Sequence, residues 1–127
     1  EEYGVKVEKI ICCGGIAEKS DMTMQIYSDV ANREIYVSRS AQTCALGAAI
    51  GGAVVGGAYK NYEEATRAMT GVKEKIFKPI EQNVKVYEKL FAIYKKLHDS
   101  FGGVRIEDLG SVMKELLEIK EAQKKLS

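Results

Sequence analysis

The residues best placed for chemistry lie near the start of the chain, in residues 9–25, KIICCGGIAEKSDMTMQ. An apolar run ends at the pair Gly14-Gly15, and a helical pattern follows. Glycine adopts positive φ and leaves the main chain open to a ligand, because it has no Cβ. The first turn of a helix presents free N–H groups, which suit an anion such as phosphate. The stretch therefore predicts a strand, a tight turn and a helix, which occur both in ligand-binding sites and in purely structural turns.

Side chains that act as acids, bases or nucleophiles form no recognisable site elsewhere. His98 is the only histidine, near the end of a predicted long helix, where a cation suits the helix dipole. Asp21 and Asp29 lie on one predicted helix, and we expect Asp21 to cap it and Asp29 to face solvent. No HExxH, CxxC, GxSxG or Walker A pattern occurs. We therefore predict neither a catalytic residue nor a metal ligand in this chain.

The composition is that of one ordinary globular domain. The 127 residues are 46% hydrophobic and 29% charged, and 19 Lys and Arg against 18 Asp and Glu leave a net charge of +1, which gives no case for nucleic-acid binding. We expect the three cysteines, Cys12, Cys13 and Cys44, to be buried free thiols in a reducing cytoplasm. Residues 44–59 are uncharged but too short and glycine-rich for a membrane span. The first residue is not Met, so we expect an excised piece without a signal peptide.

The order of predicted elements is typical of an α/β protein. The patterns predict a strand buried on both faces at 5–13, a loop at 16–20, a helix from Ser20 or Asp21 to about Ala31, a turn at Asn32-Arg33 and a strand at 34–39. Two strands joined by such a helix form a parallel, right-handed βαβ unit. We expect the helix to bury its apolar face, which comprises Met22, Met24, Ile26, Tyr27 and Val30.

Helices dominate the rest of the pattern. Residues 45–58 predict a glycine-rich helix whose flat face packs closely against a sheet or another helix, which would offset the cost of about 1 kcal/mol for each glycine. Amphipathic helices are predicted at Tyr62–Met69 with Asn61 as cap, from the first turn at Pro79 to Gly102, and from a cap at Asp108 onward.

Two motifs at a fixed separation make the pattern specific. Gly14-Gly15 is followed by Gln25 with Ser28-Asp29, then by a strand and by ALGAA at residues 45–49. This order resembles the C-terminal domain of the FGGY carbohydrate kinases, in the actin-like ATPase superfamily. Residues 42–44, and a segment at 37–40 without the usual proline, are most similar to the branch that phosphorylates L-ribulose in L-arabinose catabolism.

The resemblance implies a partial ribonuclease H-like fold that holds ATP. In that family another domain binds the sugar and carries the phosphate-binding hairpin and the catalytic aspartate, so Mg²⁺ ligands would lie mostly outside this chain. Gly14 and Gly15 would approach the α-phosphate and ribose, and Gly15 with Ile16 would cover the adenine. Either Lys19 or Ser20 would lie at the adenine edge. We expect the chain alone to be catalytically incomplete.

The same resemblance implies that the first antiparallel strands of the sheet lie upstream. We expect residues 1–102 to form part of the nucleotide-binding domain and residues 103–127 a terminal helix and tail. The expected two-stranded parallel remnant has an exposed edge and face that favour self-association. One alternative is a non-enzymatic actin-like regulatory or scaffold module. Another, a dinucleotide-binding βαβ unit, is disfavoured because GxGxxG and an acidic ribose anchor are absent.

Overall fold

The structure, a computed structural model, describes residues 3–125. The chain divides between Pro79 and Ile80 into two compact units. The elements of the first unit are β1 (Ile10–Cys12), α1 (Gly15–Lys19), α2 (Asp21–Ala31), β2 (Ile35–Ser38), α3 (Thr43–Val55), α4 (Tyr62–Met69) and β3 (Val72–Phe77). The second unit contains α5 (Glu81–Phe101) and α6 (Val112–Lys124). The described part of the chain is therefore an α/β fold, as predicted.

The sheet has three strands in the order β1-β2-β3, so the expected two-stranded parallel sheet is wrong. β1 and β2 pair in parallel, as the βαβ pattern predicts, with Ile10 opposite Ile35. β3 pairs antiparallel to β2, with Phe77 also opposite Ile35, and a bulge separates Tyr36 from Ser38. Among the described residues β2 is thus the central strand, and β1 and β3 form the edges.

The core of this unit lies on one face of the sheet, beneath α1 and α2. Because side chains alternate across a strand, one face carries Ile35 and Val37 of β2 with Phe77 of β3. These pack with Ala17 of α1 and Met24 of α2, and all five side chains are buried. The opposite face is less covered, since Ile11 in β1 is 51% exposed. The prediction of a strand buried on both faces over residues 5–13 is therefore wrong, and only Ile10–Cys12 is extended in the sheet.

Helix α2 buries a different face from the one that its apolar residues predict. Met24 is buried, but Met22, Tyr27 and Val30 are exposed. Ser28 and Asp29 are buried in their place, so the expectation that Asp29 faces solvent is wrong. Hydrogen bonds make this burial possible: Ser28 Oγ donates to main-chain carbonyls, and Gln25 Nε2 donates to Asp29 Oδ1 at 2.9 Å.

Helix α3 packs mainly against α4 and leaves an open cleft above the sheet. A Cβ built at Gly51 would lie 3.4 Å from Tyr62 Oη, whereas one built at Gly47 or Gly52 meets nothing within 4 Å. A cleft of about 470 Å³ separates Leu46 and Gly47 from Ile11. Of the two expected partners for the glycine face, a sheet or another helix, the described residues supply the helix α4, at Gly51.

The boundaries of the other helices follow local signals. Asn61 caps α4 by accepting a hydrogen bond from Glu64 N at 2.9 Å, as predicted. Helix α5 begins two residues after Pro79 and ends before Gly102, but α6 begins at Val112 after Ser111. Asp108 is therefore not its cap, because its Oδ1 accepts a hydrogen bond from Gly110 N within the preceding turn. Among residues 3–125, no helix is both long and apolar enough to cross a membrane.

Candidate functional site

The pair Gly14-Gly15 lies where β1 ends and α1 begins. Gly14 has φ 88° and ψ −178°, a conformation that residues with a Cβ adopt only under strain. A Cβ at either glycine would meet nothing within 4 Å, so the surrounding space is open. The glycine turn therefore has the two properties that the sequence predicts, a positive φ and a main chain that a ligand can approach.

The loop predicted at residues 16–20 is instead a single helical turn, α1. Its hydrogen bonds run from Glu18 N to Gly14 O at 3.2 Å and from Ser20 N to Ile16 O at 3.0 Å. Ala17 points into the core, and the side chain of Ile16 is exposed beside the glycine turn. This turn brings all the predicted site residues together in one continuous segment, residues 14–20.

The structure gives Lys19 and Ser20 different environments. Ser20 is the N-cap of α2, because its Oγ accepts a hydrogen bond from Thr23 N at 3.2 Å and lies 2.7 Å from Thr23 Oγ1. Ser20 rather than Asp21 thus caps the helix. Lys19 is exposed, and within residues 3–125 its ammonium group forms no ion pair or hydrogen bond. Of the two candidates, Lys19 is the one whose side chain is available to a ligand.

Two lysines of β3 also contact this region, and sequence reasoning missed them. Lys73 Nζ lies 2.6 Å from Glu18 Oε2, and Lys75 Nζ lies 2.5 Å from Asp21 Oδ2. A weak signal was present in the sequence, because VKEKIF alternates between two faces and is bounded by Gly71 and Pro79. The charged residues obscured that alternation. Lys73 and Lys75 lie on the same side of the strand as the buried Phe77 and form ion pairs with carboxylates there.

The three cysteines are free, as predicted, but they are not buried. Cys13 and Cys44 are exposed, and Cys12 is partly buried beside the core. Partial burial, with a smaller contribution from the neighbouring Cys13, raises the pKa of the Cys12 thiol. The expected burial is wrong because β1 is an edge strand and the Cys44 side chain lies on an exposed part of α3.

The class of protein follows from comparison with known families. Residues 1–56 match the "FGGY family of carbohydrate kinases, C-terminal domain". This range contains the glycine turn, α1, α2, β2 and α3. Over this range the resemblance based on Gly14-Gly15 and ALGAA is confirmed.

Individual relatives point to one branch of these carbohydrate kinases, because the chain is similar to bacterial ribulokinases. It is 48% identical over 105 residues to the Ribulokinase of Anoxybacillus flavithermus, covering 80% of this chain and 19% of that protein. It is 46% identical over 125 residues to that of Halalkalibacterium halodurans, covering 94% and 21%. For Bacillus licheniformis the identity is 44% over 126 residues, covering 96% and 22%. The chain thus spans about a fifth of the length of the curated relatives it matches.

Proposed function

We propose that the chain is the nucleotide-binding C-terminal part of an ATP-dependent sugar kinase that phosphorylates L-ribulose in L-arabinose catabolism. The main support is the family match, which covers the glycine turn and α3 in one continuous range. The similarity to ribulokinases extends through β3 and most of the second unit, which favours this branch over other sugar kinases. The sugar itself is bound, in this proposal, by a domain outside the chain.

Residues 14–20 are the proposed nucleotide site. Gly14 and Gly15 offer open main chain to the α-phosphate and ribose, because no side chain occupies that space. Ile16 presents an exposed apolar surface that suits the face of an adenine ring. Of the two candidates for the adenine edge, we prefer Lys19, because the Ser20 hydroxyl already caps α2.

The chain is proposed to position the nucleotide without transferring phosphate. Phosphoryl transfer depends on positioning and on charge neutralisation by Mg²⁺. In residues 3–125 no group of three or more His, Cys, Asp or Glu side chains is arranged to hold a metal ion, and in this proposal most of the Mg²⁺ ligands lie outside the chain. We expect the purified chain, given ATP, MgCl₂ and L-ribulose, to release ADP no faster than a protein-free mixture. ADP release that requires both the chain and L-ribulose would contradict this.

Nucleotide binding is tested by titrating the ¹⁵N-labelled chain with ATP. We expect amide shifts concentrated in residues 14–20, because the ligand approaches the main chain there. Gly15→Val should abolish these shifts, since it places a branched side chain in the open space without requiring a positive φ. Gly52→Ala in α3 is the matched control, because its Cβ also enters open space, and it should bind like the unaltered chain. Absent shifts, or shifts confined to other segments, would refute the assignment.

We further propose that the chain self-associates through the edge of β1 and that it works in the cytoplasm. Among the described residues β1 pairs only with β2, and its Ile11 is half exposed, which is typical of an edge that recruits another strand. Free cysteines suit a reducing compartment. Size-exclusion chromatography with light scattering should show oligomers that Ile11→Lys reduces. A stable monomer at all concentrations would contradict the association.

A further inference from the structure

Strand β3 follows the helical segment α1–α2 along its length. Four side chains of that segment, spaced by three or four residues, contact β3 or the residue after it: Glu18, Asp21, Gln25 and Ser28. For the three that belong to α2, Asp21, Gln25 and Ser28, this spacing places them on one side of the helix, and Glu18 in α1 precedes them. The strand that the sequence pattern failed to predict is therefore the element that contacts the segment carrying the proposed nucleotide site.

The two contacts at the far end of α2 are hydrogen bonds to main-chain carbonyls. Gln25 Nε2 donates to Lys78 O at 2.8 Å, and Ser28 Oγ donates to Phe77 O at 3.0 Å. Since both side chains belong to α2 and both acceptors follow one another along the chain, they fix the C-terminal end of β3 against α2. With Phe77 held there, the earlier residues of β3 lie alongside the start of α2 and alongside α1.

The two contacts near the glycine turn are ion pairs. Lys73 and Glu18 have side chains that are 39% and 25% exposed, whereas Lys75 and Asp21 are mostly exposed. Water and salt screen an exposed pair strongly, so the exposed pair contributes little. The Lys73–Glu18 pair is better protected and joins residues 55 positions apart. It is the ion pair that can constrain α1.

Helix α1 needs such a constraint because it is one turn long. A single turn is unstable alone, since nucleation fixes several residues for one hydrogen bond. Glu18 is central to this turn: its side chain pairs with Lys73, and its N–H donates to Gly14 O at 3.2 Å. The position of Glu18 therefore affects the orientation of the Gly14 carbonyl. It also affects the direction in which the side chain of the next residue, Lys19, projects from α1.

We propose that Lys73 is a positioning residue of the nucleotide site. Its ion pair with Glu18 holds α1 in place and thereby orients the main chain at Gly14 and the side chain of Lys19. Lys73 itself does not touch the nucleotide. This inference rests on the proposed function, because it requires the nucleotide to bind at residues 14–20.

The test compares ATP dissociation constants of variants of the full 127-residue chain, measured by isothermal titration calorimetry. Lys73→Gln removes the charge and should weaken ATP binding about threefold to tenfold, the range expected when a partly buried pair that orients a site is lost. Lys73→Arg keeps the pair and should bind like the unaltered chain. The control is Lys85→Gln, which removes a lysine–glutamate pair of the same 2.6 Å length in α5 and should leave ATP binding unchanged.

A charge exchange separates positioning from a general loss of fold. The double variant Glu18→Lys with Lys73→Glu restores opposite charges at the same two positions, so it should recover most of the affinity that Lys73→Glu alone loses. Unchanged affinity in Lys73→Gln, or no recovery in the double variant, would overturn the role of Lys73. If Gly15→Val abolishes binding while Lys73→Gln does not weaken it, the nucleotide site stands and only the positioning role fails. An unaltered chain that binds no ATP would overturn both.

Discussion

Replacing Ser28 by Ala tests whether the buried polar face of α2 stabilises the first unit. Ser28 is fully buried, and its Oγ lies 2.7 Å from Arg33 O and 3.0 Å from Phe77 O. One hydroxyl hydrogen serves both carbonyls, so the side chain joins α2 to the turn before β2 and to the end of β3. Ala removes this link and leaves each carbonyl with one hydrogen bond fewer, that of Phe77 in a buried position. The expected loss is about 1–3 kcal/mol in the free energy of unfolding.

Ser100 supplies the matched control for this substitution. Its Oγ is buried, like that of Ser28, but has no hydrogen-bond partner within the described residues. Ser100→Ala therefore removes an unsatisfied buried group and also favours the helix by about 0.5 kcal/mol. We expect this variant to be as stable as the unaltered chain or slightly more stable. The same chemical change should thus have opposite effects at the two positions.

Urea unfolding monitored by circular dichroism measures the overall change in the free energy of unfolding. Hydrogen exchange shows which of the two compact units is affected. The assignment matters because two compact units need not unfold in one transition. Ser28→Ala should increase exchange in α2, β2 and β3, and Ser100→Ala should not. The reasoning is refuted if Ser28→Ala changes stability by less than about 0.3 kcal/mol, below the usual worth of a buried hydrogen bond. An equal loss in Ser100→Ala would refute it as well.

Two further predictions concern burial in the same unit. Met24→Ala should lower the free energy of unfolding in urea by about 2–5 kcal/mol, because Met24 is 1% exposed in the core. Met22→Ala should change it very little, because Met22 is 72% exposed. Similar losses in the two variants would show that the assignment of the buried face of α2 is wrong. Maleimide should label Cys13 and Cys44 before Cys12, because a raised pKa leaves Cys12 with less thiolate at any pH below that pKa. The lag should shrink as pH rises, and peptide mass spectrometry that finds Cys12 labelled first would contradict this.

The parts of the fold that were predictable depend on local signals. The bounds of α4, Tyr62–Met69, match the prediction because the capping residue Asn61 and the terminating Thr70-Gly71 directly flank the helix. The parallel pairing of β1 with β2 also follows from local information, since a helix between two strands leaves few other arrangements. The positive φ at Gly14 was likewise predictable, because glycine adopts such a φ without strain.

The parts that were missed depend on distant partners. β3 is a strand because Val72–Phe77 pairs with β2, and its lysines are satisfied by carboxylates more than 50 positions away. Asp29 was assigned to solvent because an isolated Asp in a helix usually lies there, yet the fold buries it to 2% exposure and Gln25 donates a hydrogen bond to it. No periodicity in the sequence encodes such contacts, since they exist only after the sheet has formed.

Helix α3 has a glycine content that its contacts within the described residues do not explain. Each glycine in a helix costs about 1 kcal/mol relative to Ala, and α3 contains Gly47, Gly51 and Gly52. Only at Gly51 would a Cβ have a neighbour within 4 Å, the Tyr62 hydroxyl of α4 at 3.4 Å, which is ordinary van der Waals contact. Packing within the described residues therefore does not account for the other two glycines. This open face of α3, with the cleft above Ile11, is in line with the proposal that the chain is one part of a larger kinase.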